Sequence, residues 1–107
     1  MGQSDSLSNI LKDWRRDSTG CLDLRSFNSA LKLIKAYKID KNDFVYCVSI
    51  LGQPNEIHIE GDYLECTYYY STNCDAGVIN KKMPWCFIDI DFNRKGKFLD
   101  YFELCYE

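Results

Sequence analysis

The stretch Leu51-Gly52-Gln53-Pro54-Asn55-Glu56-Ile57 constrains this chain more than any other, because it separates two kinds of sequence. Before it, apolar side chains recur at helical spacing; after it, they alternate or stand in tyrosine-rich runs. Gly52 suits the positive φ at which helices end, and Pro54, with a fixed φ and no N–H, forbids the helix to resume. The chain therefore reads as a helical half over 1–52 followed by a sheet half over 55–107. At 107 residues it has the length of a single domain with one core. It buries that core most simply as an α+β two-layer sandwich, with the N-terminal helices packed on one face of a four-stranded antiparallel meander.

Three apolar stripes divide the helical half. Leu7, Ile10, Leu11 and Trp14 form the i, i+3, i+4, i+7 face of a first helix, capped by Asp5 or Ser6 and ending near Gly20. Leu24, Phe27, Leu31 and Ile34 predict a second helix over about 23–37, with Lys32, Lys35 and Lys38 on its wet side. Asp40 reads as the cap of a third, with Asp43 three positions on and Phe44, Cys47, Val48 and Leu51 as its apolar face.

In the sheet half, 56–60 alternates with Ile57 and Ile59 on one face, Gly61-Asp62 makes a tight turn, and 63–71 returns as a longer strand. A polar loop over 72–83 precedes a central strand over 85–93, a turn at Arg94-Lys95-Gly96 and a closing strand over 97–106. Alternation sends Cys86, Ile88, Ile90 and Phe92 toward the helices and Trp85, Phe87, Asp89 and Asp91 outward to solvent or a partner. Tyr63, Glu65 and Tyr69 in the second strand, and Tyr101 and Glu103 in the fourth, are assigned to the same open face. Large aromatics beside acids on an open face are the composition of a binding surface, since Tyr and Trp carry much of the energy of interfaces.

Charge is divided as the elements are. Residues 1–55 hold eight Lys or Arg against six Asp, and residues 56–107 hold five against ten acids. An acidic sheet repels nucleic-acid backbones and steers a basic protein partner toward itself. Catalytic signatures are weak: the single histidine, His58, has no Cys, Ser or acid at motif spacing. Asp89-x-Asp91-x-Asn93 has the outline of a calcium loop, but Arg94 stands where that loop needs glycine and Asp100 where it needs glutamate. No cofactor, metal or catalytic residue is expected, and a non-enzyme is preferred.

The six cysteines (Cys21, Cys47, Cys66, Cys74, Cys86 and Cys105) mostly lie in apolar runs and never at C-x-x-C spacing. They are expected as buried thiols. The alternative is one or two disulfides, with Cys74 and Cys86, which flank one loop, as the foremost pair. The N-terminal residues carry no basic n-region or apolar stretch, and no run approaches the ~20 residues that span a bilayer, so a cytoplasmic protein without membrane contact is expected, or an envelope protein if a signal peptide has been trimmed.

The elements Trp14-x-x-Asp17-x-x-Gly20-Cys21-x-x-x-Arg25, Leu51-Gly52-x-Pro54-x-x-Ile57 and Tyr68-Tyr69-Tyr70 resemble a group of small bacterial proteins. The helix-to-strand junction is similar to that of the small outer-membrane lipoproteins of the barrel-assembly machinery. In architecture the chain resembles β-lactamase inhibitor proteins, whose concave sheet grips a protein partner. This resemblance implies an immunity protein that neutralises a cognate toxin by occluding it, and strand parity supplies Trp85, Phe87, Asp89, Asp91, Tyr69, Glu65, Tyr101 and Glu103 as the expected partner-binding residues. An envelope lipoprotein or scaffold domain is the first alternative, and an enzyme with an unrecognised site the second.

Overall fold

The computed structural model describes residues 2–106, with side chains from Leu7 onward. Helices α1 (Gly2–Arg16), α2 (Phe27–Ala36) and α3 (Phe44–Leu51) precede strands β1 (Glu56–Glu60), β2 (Tyr63–Tyr70), β3 (Cys74–Asp75), β4 (Val78–Ile79), β5 (Trp85–Asn93) and β6 (Phe98–Tyr106). Strands β1, β2, β5 and β6 form an antiparallel sheet in that order, and β3 and β4 pair only with each other. The expected α+β meander with its helices on one face is the observed architecture. No helix among the described residues is long and apolar enough to cross a membrane.

Local chemistry sets the helix boundaries. Ser26 and Ser29 form a reciprocal capping box at the start of α2, which places that start after residue 23. Asp43, rather than Asp40, caps α3 by accepting from the Tyr46 N–H at 2.9 Å. Residues 39–41 instead form a short 3-10 turn. Helix α1 already runs at Gly2, ahead of Asp5 and Ser6, whose side chains lie outside the described ones. Gly52 ends α3 at φ 87° as its sequence position implies.

The core lies between the two layers. Trp14, Ala30, Leu33, Ile34, Cys47 and Leu51 from the helices meet Cys66, Tyr68, Ile88, Ile90 and Phe92 from the sheet. At one end of this core the layers are joined by polar groups. The fully buried Asp17 accepts the N–H groups of Leu22 and Leu24 and so shapes the loop after α1. The buried Arg25 donates from Nε to the Trp14 carbonyl at 2.9 Å and from Nη1 to the Tyr69 carbonyl and the Asn55 side chain, each at 3.3 Å. Its guanidinium also lies 4.5 Å from the centroid of the Trp14 ring. Burial pulls the Arg25 pKa down to about 10 against the opposing charge of Asp17.

The pairing of β5 with β6 corrects the face expected for Tyr101 and Glu103. Residue Asp91 faces Asp100 but Phe92 faces Phe98, so Leu99 is an extra residue in a bulge. A bulge of one residue reverses the alternation beyond it. Tyr101 and Glu103 therefore lie opposite Ile90 and Ile88 on the helix side of the sheet, where Tyr101 packs against the core and Glu103 accepts the Tyr70 hydroxyl. Asp100, Phe102, Leu104 and Tyr106 take their place on the open face.

The cysteines are the second correction. Four of them form the disulfides Cys21–Cys74 and Cys86–Cys105, and only Cys47 and Cys66 are the expected buried thiols, with burial pushing both pKa values up to about 12. Cys86 bridges its directly opposed neighbour on β6 rather than Cys74. Cys74 is instead drawn to the loop after α1, 53 positions away in sequence. The β6 register and that loop's position exist only in the folded chain, so the spacing of the cysteines alone leads to the wrong pair.

Two outcomes test this account. Gly20 sits at φ +79°, and a Cβ there would lie 2.8 Å from the Tyr69 Cβ, whereas nothing lies within 4 Å of a Cβ at Gly52. Urea denaturation of Gly20→Ala will show a loss of about 3 kcal/mol, and of Gly52→Ala about 1 kcal/mol, because only the first adds a clash to backbone strain. Thiol labelling after denaturation without reductant will count the two cysteines Cys47 and Cys66. Reductant will lower the melting temperature, since loop-closure entropy makes Cys21–Cys74 worth about 4 kcal/mol and Cys86–Cys105 about 3 kcal/mol.

Candidate functional site

The open face of the sheet is ordered in rows that cross all the strands. One row runs His58, Glu65, Asp91, Asp100, and the next runs Glu56, Thr67, Asp89, Phe102. Beyond them stand Tyr69, Phe87 and Leu104, then Trp85 and Tyr106. One half of the face is thus carboxylate-rich and the other aromatic, and the boundary between them is a concave pocket of about 410 Å³ lined by Glu56, Thr67, Asp89, Trp85 and Phe102 among others.

The aromatic half is a small second core. Trp85 packs edge-on to Tyr69 with centroids 5.2 Å apart, lies 5.0 Å from Phe87, and is 5.2 Å from Tyr106, which also stacks on Phe87. The loop over 72–83 closes against it as a flap. Ile79 packs on Tyr69, Trp85 and Phe87, and the Lys81 ammonium sits 5.4 Å and 5.2 Å from the Tyr69 and Trp85 ring centroids. The flap is fastened at its other end by the Cys21–Cys74 disulfide and by the Thr72 hydroxyl donating to the Gly20 carbonyl.

The parity assigned to β2 and β5 from sequence is correct: Trp85, Phe87, Asp89, Asp91, Glu65 and Tyr69 share the open face. Their expected exposure is not. Trp85, Phe87 and Tyr69 are 8%, 5% and 7% exposed, and Asp89 only 3%, because the flap and the β6 side chains cover what strand alternation leaves open. Apart from Tyr63 at the start of β2, the exposed apolar residues of this face are Phe102, Leu104 and Tyr106 on β6. The pattern alone missed them, since only the bulge turns them to this side.

The electrostatics follow from this partial cover. Asp89 accepts the Thr67 hydroxyl at 2.6 Å, but burial, reinforced by Glu65, raises its pKa to about 6. Asp91 is likewise raised to about 6 by burial and by Glu65, Asp89 and Asp100, and one of its carboxylate oxygens is buried without a hydrogen-bond partner. Glu56 behaves oppositely. Desolvation pushes its pKa up, but hydrogen bonds from Lys81 and Tyr69 and the charges of Lys81 and His58 hold it below its usual value. His58 is exposed and lies 3.9 Å from both Glu56, two positions before it on the same strand face, and Glu65, a cross-strand neighbour that sequence spacing did not show. Among the described residues no three His, Cys, Asp or Glu side chains are grouped so as to hold a metal ion.

The chain matches no protein-family model, no curated protein and no solved structure.

The raised pKa of Asp89 fixes a pH dependence. A folded pKa of about 6 against 3.8 for the free group means that the fold binds this proton more tightly than the unfolded chain does. Its stabilising contribution is complete below the unfolded pKa and is lost as pH rises through the folded one. Asp89→Asn, which keeps a carbonyl for Thr67, will therefore melt higher than the native chain near pH 7.5, by on the order of 2 kcal/mol. That advantage will vanish near pH 4, and thermal melts across the range will measure it.

Proposed function

We propose that this chain is a non-catalytic protein-binding domain that holds a basic partner on the open face of its sheet, acting as an immunity protein that occludes a cognate toxin. The observation that carries the reading is the adjacency, on one concave face, of a carboxylate row ending in Asp100 and an exposed apolar row of Phe102, Leu104 and Tyr106. Carboxylates steer and orient a cationic protein, while desolvated aromatics supply most of the affinity. Their arrangement beside a disulfide-fastened flap suits a preformed surface, which loses little entropy on binding. The same acids disfavour a nucleic-acid partner.

The two disulfides favour a second reading of where the domain works. Disulfides persist in oxidising compartments and are rare among cytosolic proteins, so an envelope-facing domain fits Cys21–Cys74 and Cys86–Cys105 better than the cytoplasm does. A binding role for the face is compatible with either compartment.

Immunity proteins are encoded beside the toxins they neutralise, so capture of the protein encoded by the adjacent reading frame, together with growth protection against it, tests the reading. The exposed β6 residues are the informative ones, Phe102 above all, because replacing the buried Trp85, or Tyr106 that packs on it, disturbs the second core as well. Phe102→Ala and Tyr106→Ala will each weaken capture by about 2 kcal/mol, chiefly through faster dissociation. Asp100→Lys will slow association, and the difference will shrink at high salt. Undiminished capture by a folded triple variant places the partner elsewhere.

A further inference from the structure

We propose that the free edge of β6 is where the partner docks, by adding an extended segment, antiparallel like every other strand of this sheet, that carries apolar side chains at two-residue intervals followed, at the same interval, by one lysine or arginine. This rests on the protein-binding reading above and specifies how the partner is held.

The backbone supplies the first part of the argument. β6 is a nine-residue edge strand, and only its beginning is covered, by the Phe98 N–H donating to the Asn42 carbonyl at 3.3 Å. The Cα atoms of Cys86 and Cys105 are 4.1 Å apart, the close spacing of a pair whose N–H and C=O groups point away from each other. By alternation Tyr101, Glu103 and Cys105 all turn these groups to the free edge. The Tyr101 N–H donates to the Asp100 carboxylate at 2.8 Å, as it does when no strand takes it. A segment laid alongside β6 finds these groups at the spacing of a ladder.

The side chains supply the second part. Along β6 the open face presents Asp100, Phe102, Leu104 and Tyr106 in succession, the last three 38%, 41% and 55% exposed. An added strand extends each row by one residue. The residue beside Asp100 continues the row of Glu65, Asp91 and Asp100, which holds no Lys or Arg and ends at the exposed His58 of β1, so it is cationic. The residues beside Phe102, Leu104 and Tyr106 continue apolar positions, so they are apolar. Lys81 shows the same recognition within the chain, its ammonium bonded to Glu56 while lying over Tyr69 and Trp85. Charge selects the occupant: a second copy of β6 brings Asp100 and Glu103 to a seam already acidic, whereas a basic segment neutralises it. The opposite edge is less suited. β1 is five residues long and presents Glu56, His58 and Glu60 to the open face.

The probe is the synthetic peptide Leu-Thr-Phe-Thr-Val-Thr-Arg-Thr, with a control in which glutamate replaces arginine. Amide hydrogen exchange followed by NMR on the intact chain will show at least tenfold slowing at Glu103 and Cys105 with the arginine peptide, and at least tenfold weaker binding of the control. Glu103→Pro, which removes the edge N–H, will abolish the effect, while Glu103→Gln, which keeps an acceptor for Tyr70, will retain it. Asp100→Lys will weaken arginine-peptide binding tenfold or more and keeps the test decisive if the proline variant does not fold by circular dichroism. Protection at β1 instead, no protection at β6, or equal binding of the two peptides overturns the proposal. So does a dimer in sedimentation that Glu103→Pro dissociates, because the occupant is then a second copy. If Phe102→Ala and Tyr106→Ala abolish capture of the adjacent gene product while a folded Glu103→Pro retains it, strand addition falls and the face reading stands. If no variant affects capture, both fall.

Discussion

Arg25 is the point at which the two layers of this protein are fastened, and much of the rest depends on it. Its guanidinium joins the end of α1 through the Trp14 carbonyl, the helix-to-strand junction through Asn55, and β2 through the Tyr69 carbonyl. A buried cation is costly unless its donors are paired, and charge-assisted bonds to fixed carbonyls are the arrangement that offsets the cost. Asn55 completes the joint, accepting the Tyr69 N–H and donating to the Ser18 carbonyl. Gly20 then lies directly on the Tyr69 backbone, where a side chain has no room. The spaced Trp14, Asp17, Gly20, Cys21 and Arg25 of the sequence thus form one structural joint between helices and sheet.

That joint holds Tyr69 from the helix side while its ring serves the open face. The same strand segment therefore transmits the position of the helical layer to the aromatic second core. Cys21, next to Gly20, carries the connection further by tethering Cys74 and with it the flap that covers Trp85. Helices, joint, flap and aromatic cluster form one mechanically continuous unit, in which the flap turns an apolar strand face into a partly buried one. The acidic half of the face is covered only in part, and burial of Asp89 and Asp91 beside other carboxylates raises both their pKa values.

The bulge at Leu99 has the largest consequence for the proposed function. With unbroken alternation after Phe98, Tyr101 and Glu103 would face outward and Phe102, Leu104 and Tyr106 would face the helices. One extra residue exchanges the two sets. It fills the core with Tyr101 and leaves the apolar row of β6 exposed beside the carboxylates, at the one long free edge of the sheet. A solubility argument alone predicts the opposite choice, which is why this row is read as a surface with a use.

By itself the sequence determined the order of the helices and of the four main strands, and the inward faces of α1, β2 and β5, because these follow from local periodicity and from the punctuation of Gly52 and Pro54. For the second helix it pointed to Leu24, Phe27, Leu31 and Ile34, whereas the face that α2 buries is Ala30, Leu33 and Ile34. It also determined which residues of β2 and β5 share the open face, since alternation is a property of each strand alone. Four things were decided only by the tertiary structure: the disulfide partners, the burial of Trp85, Phe87, Asp89 and Tyr69, the flap, and the face of every β6 residue beyond Leu99. Each depends on a contact between segments far apart in the chain, and for β6 on a one-residue irregularity that no periodicity signals. A strand's pattern says which side chains lie together; only its neighbours say which way the set points and what covers it.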